Sequence, residues 1–331
     1  MNLDVTGMRA VVVGGDLRAA GQVSSLLDGG AIVTVVAGEV TASIDDLAAR
    51  GLVTWIARDA EPDDVAQFDL VLRGHAHAPA PERILDIGSV TLVGGGPGDP
   101  GLVTVAGREA IETADVIVTD RLAPLAALAW ARPDAEIIDV AKIPGGRSTS
   151  QDDINQLLVE HAKAGRHVVR FKGGDNFVFG RGGEELLACH DAGIPTRVVP
   201  GVSSAIAAPA LAGVPVTHRG LTQGFTVVSG HVPPGHPDST LDYAALAHSG
   251  TSIVVLMGVR TLEAICAALV EGGLDPATPA AVVADGSLPS QRVVRATVAT
   301  IAEAAAELRP PAVAVIGEVA DIDGLTEVAG A

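Results

Sequence analysis

Alternating apolar and polar segments predict repeated α/β units along the chain. Short runs rich in valine, isoleucine and leucine are typical of buried strands, and they alternate with segments whose apolar residues recur every three or four positions, as in amphipathic helices. Residues 8–37 predict a strand, a glycine turn, a helix and a second strand, at Ala10–Val13, Ala19–Leu27 and Ile32–Val36. Shorter strands are predicted near Val53–Ile56 and Leu70–Leu72. This is half of a doubly wound unit, and His75–Pro81 is the best candidate for a linker after it.

A longer α/β series starts at Val90. Its predicted strands are Val90–Val93, Val116–Thr119, Glu136–Val140, His167–Phe171, Phe225–Ser229, Ser252–Met257, Ala280–Val283 and Ala312–Ile316. Its predicted helices are Val103–Thr113, Gln151–Ala164, Glu184–Asp191, Ser203–Leu211, Thr261–Glu271 and Thr297–Glu307, with Ser150 as the N-cap of the second. We expect an α/β fold with two domains that divide near residues 200–220 and a cleft between them.

Charge and composition narrow the classes of function. The 331 residues carry a net charge of −18, which disfavours a nucleic-acid partner, including the RNA of an RNA-directed methylase. The charge is uneven, because 12 of the 22 basic residues lie between positions 90 and 220. That distribution favours a cationic cleft for a small anionic molecule.

The two cysteines, the length of the apolar runs and the N-terminal sequence bear on cellular location and on metal binding. Cys189 and Cys266 stand alone without metal-ligand spacing and are interpreted as reduced thiols, which suits the cytoplasm. No apolar run reaches the ~18 residues of a membrane span, and the N-terminus does not read as a signal peptide. We therefore expect a cytoplasmic protein without a metal site or a membrane partner.

Two glycine-rich segments at strand ends are the main candidates for a ligand site. Arg170–Glu185, with the sequence RFKGGDNFVFGRGGEE, places five glycines among fixed charges directly after a predicted strand. Glycines at such positions let the backbone come close to a ligand. Gly94–Asp99 is the second segment; by its spacing alone it is either a dinucleotide-type loop or a tight strand-to-helix turn.

Several ordered motifs resemble the uroporphyrinogen-III C-methyltransferases, members of the tetrapyrrole methylase family of class III methyltransferases. The motifs are VTLVGGGPGDPGLVT (90–104), TDRL (119–122), KGGDNFVFGRGGEE (172–185), VVPGVSSAIAAPALAGVPVTHRG (198–220), LMG (256–258) and QRVV (291–294). The resemblance implies two methyl transfers from S-adenosylmethionine to uroporphyrinogen III, giving precorrin-2 for siroheme or cobalamin synthesis. It implies a homodimer and two subdomains, 88–205 and 206–325, with the cofactor between them.

The resemblance also assigns residues to the cofactor and the tetrapyrrole. The cofactor pocket is expected to include Pro97, Gly173, Gly174, Asp175, Val178, Ser203, Ser204, Met257 and Gly286. Without the resemblance, Met257 would be interpreted as a residue that packs in the core. Ser203 and Ser204 begin a predicted helix, whose free N–H groups are suited to binding an anionic group. The tetrapyrrole carries eight carboxylates, so Arg121, His218 and Arg219 are expected to face it, with Arg147 and Arg260 as weaker candidates.

A carbon nucleophile must lose a proton, so a positioned base is expected. Asp120, at the end of a predicted strand, is the first choice, and a salt bridge to Arg121 is its alternative role. Lys142 is the matching proton donor or carboxylate anchor, although Ala141 and Ile143 replace the family's neighbouring residues. Arg181 and Glu184 are the rival catalytic pair.

Residues 1–80 resemble, more weakly, the NAD-binding module of bifunctional siroheme synthases, in truncated form. Asp16 stands where a pyrophosphate would approach the backbone of the glycine turn, and Arg73-Gly74-His75 stands where the family has a catalytic aspartate. Glu39 is placed as a ribose-binding acid would be, which keeps NAD binding open. We expect a degenerate module that does not use NAD. Because every matched motif lies after Val90, a chain starting near Pro81 is expected to keep methyltransferase activity. The alternatives are a bifunctional siroheme synthase with dehydrogenase and ferrochelatase activity, and a non-catalytic tetrapyrrole carrier.

Overall fold

The computed structural model describes residues 5–61, 64, 67–73, 87–140 and 150–322. The chain divides into two compact units, Met1–Val202 and Ser203–Ala331. Two sheets belong to the first unit and one to the second. The first unit therefore spans the predicted N-terminal module, 1–80, and most of the predicted first subdomain, 88–205. The predicted linker His75–Pro81 lies outside the described residues.

The first sheet contains four parallel strands in the order β3-β2-β1-β4. Helix α1 begins after Asp16, whose side chain accepts a hydrogen bond from the Ala19 N–H at 2.8 Å, and its apolar face is buried. Helix α2 was not predicted from the sequence. The elements are β1 (Arg9–Val13), α1 (Leu17–Asp28), β2 (Ile32–Val36), α2 (Ala42–Ala49), β3 (Thr54–Ile56) and β4 (Leu70–Arg73).

The second sheet is also parallel, with five strands in the order β7-β6-β8-β5-β9. The elements are β5 (Ser89–Gly94), α3 (Val105–Thr113), β6 (Val116–Thr119), β7 (Glu136–Asp139), α4 (Gln151–Lys163), β8 (His167–Lys172), α5 (Gly182–Asp191) and β9 (Thr196–Val199), with 3-10 segments at Pro100–Leu102 and Leu125–Trp130. The predicted cap of α4 is confirmed, since Ser150 and Asp153 form a capping box. Because the strands are parallel, their carboxyl ends share one edge of the sheet.

The second unit has a mixed sheet in the order β10-β11-β14-β12-β13. Only β10 and β11 pair in parallel; the other pairs are antiparallel. The elements are α6 (Ser204–Leu211), β10 (Phe225–Ser229), α7 (Tyr243–Ala247), β11 (Ser252–Leu256), α8 (Leu262–Glu271), β12 (Pro279–Ala284), β13 (Arg292–Thr297), α9 (Ile301–Ala304) and β14 (Ala312–Ile316), with 3-10 segments at Val259–Thr261 and Glu318–Asp321.

The end of the second unit corrects one predicted helix. The expected helix Thr297–Glu307 is reduced to α9, Ile301–Ala304, and strand β13 precedes it. The segment RVVRAT of β13 is rich in β-branched residues, and every residue from Arg292 to Thr297 pairs with β12. The alanine-rich stretch after it suggested a longer helix than the chain forms.

One apolar core joins the two sheets of the first unit. It includes Leu17, Val23 and Leu26 of α1 together with Leu125 and Leu128 of the 3-10 segment Leu125–Trp130. Among the described residues no helix is long and apolar enough to cross a membrane. Both cysteines are free and buried, and desolvation raises the pKa of each thiol to about 11.

Candidate active site at the carboxyl edge of the second sheet

The loops after β5 and β8 meet through their backbones. Gly96 and Gly174 form a short antiparallel bridge, in which the Gly174 N–H donates to the Gly96 carbonyl at 2.6 Å and the Gly96 N–H donates back at 3.1 Å. The Gly95 N–H donates to the Lys172 carbonyl at 2.7 Å. These bonds bring together the loops that carry three predicted cofactor residues, Pro97, Gly173 and Gly174.

Gly94 and Gly201 pack so closely against each other and against Gly174 that neither of them has room for a side chain. A β-carbon at Gly201 would overlap the Gly174 carbonyl oxygen and would lie 2.5 Å from the Gly94 carbonyl carbon. A β-carbon at Gly94 would lie 2.5 Å from the Gly201 nitrogen and 2.8 Å from the Gly174 oxygen. The edge is therefore a cradle of bare backbone, of the kind that brings peptide groups close to a ligand. Gly201 was not among the predicted residues, although it lies within a matched motif.

Asp175 and Asn176 hold this cradle in place. The Asp175 carboxylate accepts hydrogen bonds from the N–H groups of Phe177 at 2.9 Å, Val178 at 3.3 Å and Gly201 at 3.3 Å. The fully buried Asn176 donates from Nδ2 to the Val199 carbonyl at 2.9 Å, at the end of β9. Asp175 thus organises the loop through its carboxylate, and its contact with a cofactor stays a prediction.

Asp120 is joined to a buried ion network. Its Oδ2 lies 3.1 Å from Nη2 of Arg170, and the same guanidinium binds Glu185 through Nε at 2.9 Å. Lys172 binds the other oxygen of Glu185 at 2.8 Å. Arg170, Lys172 and Glu185 are buried, whereas the Asp120 side chain is 27% exposed. The partner of Asp120 is therefore Arg170 rather than the exposed Arg121 considered in the sequence analysis.

The network keeps its charges through pairing. Burial alone would lower the pKa of Arg170, but Asp120 and Glu185 more than offset that effect and raise it. The pKa of Lys172 is lowered by its burial and by the cation of Arg170, and Glu185 opposes this only in part. This network was not predicted from the sequence. The pattern that could have indicated it is the spacing of Arg170 and Lys172, which lie two positions apart in an apolar strand and therefore on one face of β8.

The rival catalytic pair lies on the surface. Arg181 and Glu184 bind each other at 2.8 and 2.7 Å, and their side chains are 56% and 52% exposed. The hydrogen bond from Arg181 lowers the pKa of the Glu184 carboxyl. The buried acid of this motif is its neighbour Glu185. Lys142, the other predicted catalytic residue, lies outside the described residues, as do Ala141, Ile143 and Arg147.

Predicted cofactor residues of the second unit lie near the ends of its elements. Ser203 caps α6 by accepting a hydrogen bond from the Ala205 N–H at 3.3 Å, and Ser204 is the first residue of that helix. Gly286, after β12, packs against α6, because a β-carbon there would overlap that of Ala208. Met257 follows β11 with a φ of 57° and is exposed, so it is not the core residue that packing alone would predict.

The predicted tetrapyrrole residues of the second unit lie on its surface. His218 and Arg219 are exposed, and His218 forms an isolated antiparallel bridge with Thr222. An open cavity of about 490 Å³ begins at Gly220, the next residue. Residues from two loops line it, namely Gly220–Gly224 and Ser249–Thr251.

The glycine turn of the first sheet is closed. Asp16 is engaged as the cap of α1, and a β-carbon at Gly15 would overlap the Glu39 carbonyl oxygen. The Thr41 N–H also donates to the Gly15 carbonyl at 2.8 Å. An acidic cavity of about 330 Å³ remains here, lined by Gly15, Asp16, Glu39, Val40, Thr41 and Asp139. Its carboxylates oppose the binding of a pyrophosphate.

Comparison with protein families gives two matches in sequence order. The family described as Tetrapyrrole (Corrin/Porphyrin) Methylases matches residues 89–302. The family described as Putative NAD(P)-binding matches residues 1–86.

Similar curated proteins fall into two groups. The uroporphyrinogen-III C-methyltransferase of Methanocaldococcus jannaschii is 46% identical over 238 residues, 71% of this chain and 98% of that protein. The S-adenosyl-L-methionine-dependent uroporphyrinogen III methyltransferase of Methanosarcina barkeri is 47% identical over 70% of this chain and 92% of its own length. A siroheme synthase of Neisseria meningitidis is 47% identical over 70% of this chain but only 48% of that protein. The chain thus spans about half the length of the siroheme synthases it matches.

Solved structures show the same likeness. A uroporphyrin-III C-methyltransferase of Thermus thermophilus, complexed with S-adenyl homocysteine, matches with a TM-score of 0.60 and 41% identity. The match covers 71% of this chain and 94% of the other. A cobalt precorrin-4 methyltransferase matches with a TM-score of 0.64 and 25% identity, over 71% of this chain and 96% of the other.

Proposed function

The chain belongs to the tetrapyrrole methylase family, and on that premise we propose that it is an S-adenosylmethionine-dependent uroporphyrinogen-III C-methyltransferase that forms precorrin-2. The glycine cradle at the carboxyl edge of the second sheet is the structural observation that carries the proposal. No side chain fits at Gly94 or Gly201, so the loops after β5, β8 and β9 meet at this edge through bare backbone, which favours a ligand held by peptide groups. The product serves siroheme or cobalamin synthesis, and the sequence favours neither route.

The cradle fits S-adenosylmethionine as a cofactor. Pro97, Gly173, Gly174, Asp175 and Val178 hold it on the first unit, and Ser203, Ser204, Met257 and Gly286 are the predicted residues of the second. When bound, S-adenosylmethionine supplies a methyl group activated by its sulfonium. The protein therefore has to orient the ring carbon, exclude water and remove a proton.

Asp120 is the proposed proton acceptor. It is partly exposed at the end of β6, and Arg170 fixes one of its oxygens from the buried side. Arginine stays protonated at neutral pH, so Arg170 orients the carboxylate and does not take the proton itself. Lys142 is proposed as proton donor or carboxylate anchor. Arg181 and Glu184 stay the rival pair, which their exposed mutual ion pair makes the weaker choice.

Exposed basic residues are proposed to bind the anionic tetrapyrrole. We assign Arg121, His218 and Arg219 to its carboxylates, since all three side chains are free to reach a ligand from the protein surface. The same resemblance supports a homodimer, which sedimentation would test. It also supports a location in the cytoplasm. No nucleic-acid, membrane or metal partner is part of the proposal.

A bifunctional siroheme synthase is the second candidate, because several relatives carry that name and residues 1–86 match an NAD(P)-binding family. The closed turn of the first sheet opposes it: Asp16 caps α1, and the Glu39 carbonyl occupies the space next to Gly15. We propose that the module does not bind NAD and that the chain lacks precorrin-2 dehydrogenase and ferrochelatase activity.

Mass analysis of uroporphyrinogen III incubated with the purified chain and S-adenosylmethionine tests the proposal. We expect a product with two added methyl groups and a rise in melting temperature with S-adenosylhomocysteine. NAD should neither raise the melting temperature nor oxidise the product. An unmodified tetrapyrrole that binds tightly would instead support a carrier. Saturable NAD binding without a response to S-adenosylhomocysteine would favour the second candidate.

A further inference from the structure

We propose that helix α1 of the N-terminal module braces the proton-handling side of the methylase site, so that Arg18 and Gly21 are positioning residues for methyl transfer. The inference rests on the proposed function and gives the degenerate module a role within it.

Gly21 brings α1 against the 3-10 segment Leu125–Trp130. A β-carbon at Gly21 would lie 2.8 Å from the Leu125 carbonyl oxygen and 3.6 Å from the Leu128 β-carbon. The flanking apolar residues of α1 belong to the same core as Leu125 and Leu128. The helix therefore approaches this segment at backbone distance, and only glycine permits that approach.

Arg18 holds the next turn of the chain. Its Nη2 donates to the carbonyls of Arg132 at 2.9 Å, Pro133 at 3.2 Å and Ala135 at 3.1 Å. These residues lead directly into β7, which ends at Asp139, three positions before Lys142. One helix of the module thus fixes both the 3-10 segment and the turn that precedes β7.

The braced segment runs without interruption into the site. The Leu122 N–H donates to Oδ1 of Asp120 at 3.0 Å, and the Ala123 N–H donates to the Asp120 carbonyl at 3.3 Å. Pro124 then covers Gly95, where a β-carbon would lie 2.5 Å from its Cδ. Residues 120–130 therefore connect the proposed base, the loop of the cofactor cradle and helix α1.

This continuity gives the module a physical effect on catalysis. A displacement of about 1 Å at a catalytic group can lower a rate by about 100-fold. A shift of Leu125 caused by α1 has only two residues over which to relax before it reaches the Asp120 turn. The shared core also opposes the expectation that a chain starting near Pro81 keeps activity, because removing α1 would expose Leu125 and Leu128 to water. The matched region of the Methanocaldococcus enzyme covers 98% of that protein, so this dependence belongs to the present chain.

Two pairs of variants in the full-length chain test the brace. Gly21→Val pushes the helix from Leu125, and Ser25→Val places the same side chain on the exposed face of α1 as a control. The control removes the hydrogen bond from Ser25 Oγ to the Gly21 carbonyl at 3.0 Å but adds no atoms between α1 and Leu125. Arg18→Met removes the bonds to the three carbonyls, and Arg18→Lys keeps a cation that can restore part of them. For each folded variant the measurements are melting temperature, affinity for S-adenosylhomocysteine, and kcat and KM with uroporphyrinogen III.

We expect Gly21→Val and Arg18→Met to lower kcat by about tenfold or more, with a smaller loss of S-adenosylhomocysteine affinity and partial recovery in Arg18→Lys. Ser25→Val should match the parent. Parental kcat in folded Gly21→Val and Arg18→Met would overturn the inference, as would losses explained entirely by the folded fraction. If Gly21→Val does not fold, the Arg18 pair decides. A parent chain that does not methylate uroporphyrinogen III would instead overturn the proposed function.

Discussion

In the first sheet a glycine pair follows β1, and in the second sheet a glycine triplet begins at Gly94, the last residue of β5. Each turn then reaches an aspartate that caps the next helical segment: Asp16 accepts from the Ala19 N–H at 2.8 Å, and Asp99 accepts from the Gly101 N–H at 2.7 Å. The two turns are locally alike, and each follows a strand inside a parallel sheet.

The two turns differ in what faces their glycines. Gly15 faces the Glu39 carbonyl, and a hydrogen bond from Thr41 closes that approach. Gly94 faces Gly174 and Gly201, so three segments meet through bare backbone. In both turns the protein's own backbone makes the close approach to glycine. The difference is that Gly15 meets one neighbouring loop, whereas three loops, two of which carry predicted cofactor residues, converge at Gly94.

The largest expected difference between the two sheets follows from replacing one aspartate of each sheet with asparagine. Asp120→Asn removes the proposed base, so we expect kcat to fall by about 10²–10⁴-fold with near-parental S-adenosylmethionine affinity. Asp16→Asn should keep parental turnover, because asparagine caps helices about as well as aspartate. Lys142→Met should also weaken binding of uroporphyrinogen III. The measurements are steady-state kinetics and calorimetry.

One result would move the proton acceptor to the other motif. If Asp120→Asn stays nearly as active as the parent while Arg181→Lys and Glu184→Gln are both inactive, the exposed pair carries the chemistry. The Arg181 substitution keeps the charge but removes the planar fork that binds Glu184.

The second-largest effect is expected at Gly201, where an added methyl group should weaken cofactor binding. Gly201→Ala forces its side chain against backbone on two sides, and a strain of about 1–3 kcal/mol corresponds to roughly 5- to 150-fold weaker S-adenosylhomocysteine binding. Gly183→Ala is the matched control, because a β-carbon there meets no atom within 4 Å. Equal affinities in the two folded variants, measured by calorimetry, would show that the cradle is not the cofactor site.

At the turn after β1, substitution of Asp16 should change only the stability of the protein. Asp16→Ala removes the cap of α1 and should lower the free energy of unfolding by about 1 kcal/mol, whereas Asp16→Ser keeps a capping oxygen and most of that stability. Urea unfolding measures the difference. Neither variant should bind NAD, since the Glu39 carbonyl still occupies the space beside Gly15. NAD binding by Asp16→Ser would show that the aspartate alone had closed the site.

The smallest expected effect is a pH dependence of stability that comes from two histidines, one in the second sheet and one in α4. Desolvation lowers the pKa of His161 and of His167 below the ordinary 6.5, and Asp115 opposes this only partly for His167. At these two histidines the unfolded chain therefore binds protons more readily between the folded-state pKa values and 6.5, so they should lower stability as the pH drops below 6.5. Asp28, whose pKa is raised to about 6 by burial and by Asp99, acts in the opposite direction. His167→Gln should reduce this slope in urea titrations. An unchanged slope would contradict the assignment to His167.

Local features of both units could be predicted from the sequence. The bounds of β2, β6, β10 and β14 agree with the predicted strands, and the Ser150 cap of α4 is confirmed. Strands of β-branched residues and a capping box depend on neighbours within a few positions, so their signal is contained in the local sequence. The ordered motifs were equally informative, since together they identified the methylase family.

Contacts between distant segments were decided by the tertiary structure. The sequence marked Asp120 but not its partner Arg170, which stands 50 positions away, and it favoured Glu184 where the buried acid is Glu185. It also gave no sign that α1 packs on residues more than 100 positions later. A sequence determines which residues can be buried, pair or bend the backbone, whereas their partners depend on how strands are ordered in a sheet. That order is set by burial of the whole apolar core, which no local pattern records.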